Sequence, residues 1–278
     1  MSLWFSETEQ DQIRFQCRIE NVLFSQQSEF QKVEVVETVA YGRMLIIDDC
    51  VMVTDGDEFV YHEMISHIPI CLHKNPENVV VIGGGDGGTV RELLKHKQVK
   101  KVTLCEIDKV VVDASKQFFP NVSCALDDPR VDVRIGDGIE YVRGLHQEVD
   151  LMIIDSTDPI GPGEGLFSGK FYQSVASALK TGGLMVAQSE SPWFDEPILA
   201  RIQQNIRTGF KNVYPYIGSI PTYPRGLWSW TMASQEPIDV QGFDRQRFQA
   251  VAPSLSYLNE GLFLGAFCLP PFFRAKLK

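Results

Sequence analysis

The sequence is missing most of the features that place a protein in a special class. Its six cysteines (Cys17, Cys50, Cys71, Cys105, Cys124 and Cys268) include no close pair. That excludes a zinc-ligand spacing, argues against a disulfide framework and favours a reducing compartment. Cys105 and Cys124 stand in apolar contexts and read as small buried side chains. No apolar run is long enough to span a bilayer: the longest candidate, Gly261 to Phe273, is too short and contains Pro270 and Pro271. The start, Met1-Ser-Leu-Trp-Phe-Ser-Glu-Thr-Glu, is acidic and lacks the basic-then-apolar pattern of a signal segment. Repeats, low-complexity tracts and long linkers are absent. Positive charge is in deficit, with 26 Lys and Arg against 36 Asp and Glu and a net charge of −10. This disfavours nucleic acid or anionic membrane as a main partner. The expectation is a soluble, cytoplasmic protein with no metal site. The charge also fits a cationic small molecule, although a solvated acidic surface is the plainer account of it.

What is present is an ordinary globular composition, 44% hydrophobic and 22% charged, over 278 residues. That length suits one large domain, or one domain with a small appendage. Residues 1 to about 55 read as strands: Phe15–Phe24, Gln31–Val39 and Met44–Val53, with turns at Tyr41-Gly42-Arg43 and Asp48-Asp49. So small a β-rich unit is expected to pack on the rest of the chain or on another subunit. Asp57–His67 reads as a helix. Strand–helix alternation follows, with strands at Val79–Ile82, Val102–Glu106, Val131–Ile135, Leu151–Asp155 and Leu184–Gln188. Helices are expected near Thr89–Lys97, Lys109–Phe119, Ile139–Leu145 and Phe171–Leu179, then a helix at Pro197–Gly209 and a strand at Leu227–Ala233. The pattern predicts an α/β fold: a doubly wound parallel sheet over residues 56–278, preceded by a β-rich domain over 1–55.

Open α/β sheets bind ligands beyond the carboxyl ends of their strands. The first strand is followed by Gly83-Gly84-Gly85-Asp86-Gly87-Gly88, the second by Glu106 and Asp108, the third by Asp137-Gly138, and the fourth by Asp155 and Asp158. One such acid can be a helix cap, as Asp137 before Ile139 could be. Four on one rim would repel one another without a cation between them. The glycine loop matches G-x-G-x-x-G, so a nicotinamide cofactor has to be weighed. Asp86 argues against it, because a carboxylate inside the phosphate cradle would oppose a pyrophosphate. An ammonium or sulfonium ligand would be stabilised there. Glu106 lies 21 residues after Gly85, where an acid grips ribose hydroxyls in either kind of site. Asp155 to Gly165 carries two carboxylates and then a Gly- and Pro-rich stretch that suits a lid. His62-Glu63 followed by His67 is not a zinc-protease motif, since that spacing sets the rings about 140° apart around a helix. His67, His73, His96 and His146 read as packed or solvated. Tyr223, Trp228 and Trp230 read as core or interface, with a cation–π wall as the sharper alternative.

These residues together resemble the polyamine aminopropyltransferases, most closely the bacterial spermidine synthases. The similar stretches are Glu29-Phe-Gln-Lys, Asp57-Glu-Phe-Val-Tyr-His-Glu-Met, Val81-Ile-Gly-Gly-Gly-Asp-Gly-Gly, Glu106-Ile-Asp, Asp127-Asp-Pro-Arg, Asp137-Gly, Asp155-Ser-Thr-Asp-Pro-Ile-Gly-Pro and Ile220-Pro-Thr-Tyr-Pro. They run in family order across nearly the whole chain. The resemblance implies an N-terminal β-domain on a methyltransferase-type, Rossmann-like catalytic domain, assembled as a homodimer or homotetramer. It implies transfer of an aminopropyl group from decarboxylated S-adenosylmethionine, a co-substrate rather than a cofactor, to putrescine. Gln31, Asp86, Glu106, Asp137, Gly138 and Pro162 match donor contacts. Tyr61, His62, Asp86, Asp155, Ser156, Thr157, Asp158 and Tyr223 match the polyamine side, and Asp155 matches the proton acceptor. Position 62 varies in the family, where some members carry Gln. The acceptor stays open, with putrescine ahead of cadaverine, agmatine and spermidine. An amine N-methyltransferase, a non-catalytic polyamine-binding module and a nicotinamide oxidoreductase are the competing readings.

Overall fold

A computed structural model describes residues 3–9, 12–159, 161–194 and 198–277. The N-terminal strands β1 (Leu3–Glu9), β2 (Ile13–Gln27), β3 (Lys32–Thr38), β4 (Gly42–Ile47) and β5 (Cys50–Thr54) form an antiparallel sheet in chain order. The stretch Met44–Val53 is two strands, divided at the turn expected at Asp48-Asp49. Asp48 and Asp49 both adopt left-handed backbone (φ 47° and 65°) and make a two-residue hairpin turn that closes the Ile47–Cys50 pair. Val33 and Val35 face inward from β3 and pack with Leu45 against Val111, Ala114, Phe119 and Val122 of the next unit.

After α1 (Glu58–Leu72), the chain alternates through β6 (Asn78–Gly83), α2 (Gly88–Leu94), β7 (Lys101–Glu106), α3 (Lys109–Phe118), α4 (Pro120–Ser123), β8 (Val131–Ile135), α5 (Gly138–Arg143), β9 (Val149–Asp155), α6 (Gly169–Ala178) and β10 (Leu179–Gln188). Then come α7 (Ile198–Arg207), β11 (Asn212–Gly218), β12 (Trp228–Ser234), α8 (Arg245–Val251), α9 (Glu260–Gly265) and α10 (Pro271–Lys276). The expected Pro197–Gly209 helix is α7; Pro197 itself lies outside the described residues. The sheet order is β11-β12-β10-β9-β6-β7-β8, parallel from β10 through β8, with β12 antiparallel to β10. Chain direction across the sheet reverses between β6 and β9, which opens a crevice at their carboxyl ends.

Both faces of this sheet are covered, so the central strands are continuous apolar runs. Val79, Val81, Leu151 and Ile153 pack with Met64, Ile65 and Ile68 of α1. Val80, Ile82, Met152 and Ile154 pack on the opposite face with Phe171, Tyr172 and Val175 of α6 and Ile202 and Ile206 of α7. Helix α1 runs five residues past its expected end and contains Pro69, because burial of Ile68, Ile70 and Cys71 outweighs the proline's missing donor. Its Glu63 accepts the backbone N–H groups of Ser256, Tyr257 and Leu258, so that acid anchors the C-terminal segment. All six cysteines are free; Cys105 is buried, whereas Cys124 is exposed at the end of α4, against expectation. The apolar Gly261–Phe273 stretch lies in α9, α10 and the turn between them. No described helix is long and apolar enough to cross a membrane.

Candidate active site

One cavity lies over the carboxyl ends of β6, β7, β8 and β9, between them and the N-terminal sheet. Asp86, Glu106, Asp137 and Asp155, one from the end of each strand or the loop after it, all line it. Gln31, from the turn between β2 and β3, and Gly138, both expected at the donor, line the same cavity. So do Tyr61 and His62 of α1, Ser156, Thr157, Asp158 and Tyr223, expected on the polyamine side. Ser156 Oγ is buried and has no hydrogen-bond partner among the described residues, as a side chain kept for a ligand would be. Pro162 belongs to the 3₁₀ turn Gly161–Phe167; its side chain lies outside the described ones.

The glycine loop lets the acids converge. At Gly83 (φ 79°) a Cβ would stand 2.2 Å from the carbonyl oxygen of Asp155, so only glycine lets β9 end against the loop. At Gly88 a Cβ would meet the His62 ring at 2.2 Å. Glu106 accepts the N–H groups of Gly85 (3.2 Å) and Asp108 (2.9 Å), one on each oxygen. Burial nevertheless pushes Glu106 up to about 7. Asp137 does cap α5, through Ile139 N–H at 2.7 Å, while still facing the cavity.

Asp155 is held at both oxygens. Tyr61 Oη donates to Oδ1 at 2.7 Å and Thr89 Oγ1 to Oδ2 at 2.6 Å. Burial, and after it the Asp86 charge, raise its pKa above the ordinary aspartate value. Asp86 is held below that value: burial opposes ionisation, but the His62 ring at 3.0 Å and the Gly88 N–H at 2.7 Å outweigh it. Two neighbouring acids thus have opposite tendencies, the pattern of a binding carboxylate beside a proton acceptor.

A family model described as the spermine/spermidine synthase domain matches residues 58–242, and one described as the spermidine synthase tetramerisation domain matches residues 3–55. The polyamine aminopropyltransferase of Bacillus mycoides is 44% identical over 98% of each chain, and that of Moorella thermoacetica 44% over 97% of this chain and 94% of its own. The chain belongs to the spermine/spermidine synthase family. A crystal structure of spermidine synthase with the transition-state analogue AdoDATO superposes at TM-score 0.96, with 40% identity over 99% of this chain and 94% of that one. Spermidine synthase from Thermotoga maritima superposes at 0.92, with 38% identity over the same shares. The α/β architecture expected from the sequence is therefore the one present, and the chain is an aminopropyltransferase of this family.

In this aminopropyltransferase two side chains have partners other than the expected amine. The Tyr61 hydroxyl is on Asp155, and the Tyr223 hydroxyl donates to the Met52 carbonyl at 2.7 Å. Trp228 reaches the cavity beside Tyr223, whereas Trp230 is buried behind it against Tyr216. Several participants went unread: Thr89, Glu7 and Gln188, which lines the cavity, with Glu190 behind Asp158. Glu190 adopts φ 67° and is fixed by Ser229, whose N–H and hydroxyl both donate to its carbonyl. Burial raises Asp158 and, more strongly, Glu190, and the two carboxyls are hydrogen-bonded to each other. Glu7, from β1, is raised by burial to about 7.

Proposed function

We infer that this enzyme transfers the aminopropyl group of decarboxylated S-adenosylmethionine to putrescine, giving spermidine and methylthioadenosine. One observation carries the reading: four strand-end carboxylates share a single cavity, which a sulfonium- and ammonium-bearing donor and a diamine acceptor would neutralise. Glu106 is set to accept the ribose hydroxyls, with Gln31, Asp137, Gly138 and Pro162 around the nucleoside. Asp86 meets the ammonium that decarboxylation leaves at the end of the propyl arm. The donor is consumed as a co-substrate.

In the reaction the acceptor nitrogen uses its lone pair to attack the carbon beside sulfur. That lone pair is freed when Asp155 takes a proton from the acceptor's ammonium; as the new C–N bond forms the C–S bond breaks, its electrons return to sulfur, and the product nitrogen carries the positive charge that the sulfonium loses. The sulfonium leaves readily, so the nucleophile is the obstacle: neutralising a primary amine at pH 7 costs about 4–5 kcal/mol. A carboxylate with a raised pKa suits that task better than an ordinary one. Tyr61 and Thr89 fix its two oxygens, each of which keeps a lone pair. The far ammonium of the diamine would replace the proton shared by Asp158 and Glu190, beneath Glu7 and against the rings of Tyr223 and Trp228. His62, Ser156 and Thr157 complete that side.

Incubation with decarboxylated donor and putrescine, cadaverine, agmatine or spermidine, read by mass spectrometry, tests the assignment. Putrescine should be consumed fastest, with one methylthioadenosine per spermidine; methyl transfer from S-adenosylmethionine, or no product, would overturn it. Glu106 adds a second check. Its ionised form accepts the ribose hydroxyls more strongly than its protonated form, so affinity for methylthioadenosine should be full above pH 7 and fall, by up to about tenfold per unit, below it. Calorimetry should find that dependence gone in Glu106→Gln.

We further infer that the sheet of residues 1–55 serves assembly into a homodimer or homotetramer beside the catalytic residues 56–278. Its exposed Leu3, Ile13, Val22, Leu23 and Val39 support this.

A further inference from the structure

Beside the glycine loop is an ionic chain whose outer members, Glu58 and Arg91, the mechanism leaves unused. Glu58 opens α1, and His62 follows one turn later. Glu58 Oε2 lies 2.5 Å from His62 Nδ1, and Asp86 Oδ1 lies 3.0 Å from His62 Nε2. Arg91 of α2 donates to both oxygens of Glu58, at 2.9 and 2.8 Å, and its Nε donates to Glu92 at 2.8 Å. The His62 side chain is 3% exposed, so water cannot substitute for these partners. A neutral imidazole has one N–H and one lone pair. With a carboxylate at each nitrogen, a neutral ring would set a lone pair against a carboxylate oxygen; a doubly protonated ring satisfies both.

We propose that Glu58 and Arg91 are positioning residues for the donor site, fixing His62 as an imidazolium that holds Asp86 by Oδ1 and leaves Oδ2 for the donor's ammonium. Asp86 Oδ2 makes no hydrogen bond among the described residues, as the arrangement requires. His62 is surrounded by Glu58 on its own helix, Asp86 on the loop, Arg91 on α2 beyond Glu58, and Asp155 at the end of β9, with the Tyr61 ring edge-on at 5.6 Å. Burial opposes its charge, but Asp86 and Glu58 together lift it to about 10. Glu58 thereby keeps the charge at the donor's ammonium constant across the neutral range.

The proposal rests on the assignment of Asp86 to the donor, and its test separates the two. Nitrogen-15 NMR of the whole protein, with His62→Gln to identify the signal, reads the ring directly. Both nitrogens should be protonated at pH 8; one bare nitrogen would overturn the proposal, whatever Asp86 binds. The second arm measures the affinity of the decarboxylated donor relative to methylthioadenosine, a ratio that isolates the ammonium subsite and cancels any titration of Glu106. In the wild type the ratio should be flat from pH 6 to 9. In Glu58→Gln the ring can release a proton within that window. The ratio should then step about 3- to 10-fold in the donor's favour as pH rises, because the Asp86 charge is no longer offset. Glu58→Asp should restore a flat profile. A flat profile in Glu58→Gln would also overturn the proposal; if that variant does not fold, the wild-type spectrum decides.

Discussion

Replacing Asp155 with Asn is expected to lower turnover by about 10²- to 10⁴-fold while leaving donor affinity within about threefold. Asn keeps the shape and one acceptor for the hydroxyls of Tyr61 and Thr89, so the loss reports the missing base rather than a collapsed site. The pH profile supplies an independent reading. A protonated Asp155 cannot take the amine's proton, and its pKa is raised in the fold. Wild-type turnover should therefore fall as pH drops through a point above the ordinary carboxylate value of about 4, and Asp155→Asn should lack that acid limb. Stopped-flow or quenched turnover at saturating donor would show it. Near-normal turnover in the variant would remove Asp155 from the proton path.

The second large effect belongs to Asp86. In Asp86→Asn the donor's ammonium loses a charged partner and faces the His62 imidazolium across a neutral amide. A charge-assisted hydrogen bond is worth about 1.5–3 kcal/mol, so affinity for the decarboxylated donor should fall about 10- to 150-fold. S-adenosylmethionine, whose own carboxylate the aspartate repels, should lose far less. The expected result is a narrowed preference between the two donors, measured by competition against methylthioadenosine. Undiminished discrimination would mean that charge at position 86 does not select the donor.

The chemistry of this rim was legible because carboxylates after consecutive apolar runs need only the sheet to bring them together. Val79–Ile82 and Leu151–Asp155 are buried on both faces, so their runs were plain and Asp86 and Asp155 followed. The same rule applied to the next strand reaches Glu190, two residues past the end of β10, and needed only to be carried one strand further. Thr89 and Arg91 were invisible for another reason: they reach from α2 to the end of β9 and to α1, on partners 66 and 33 residues away in the chain, and no local period encodes that. Strand β11 was missed because Pro215 and its half-buried neighbours break the alternation of a sheet edge. The three C-terminal helices are each seven residues or fewer, too short for a 3.6-residue pattern to emerge.

The contact of Gly88 with the His62 ring also bears on how this site can change over generations. A methyl group at position 88 would stand 2.2 Å from the imidazole, so alanine is barred there as long as histidine remains at 62. The reverse order is open: a slimmer or more pliable residue at 62 frees the space first. The two positions, 26 residues apart, thus have a one-way mutational path, and lineages should abandon the histidine before they abandon the glycine.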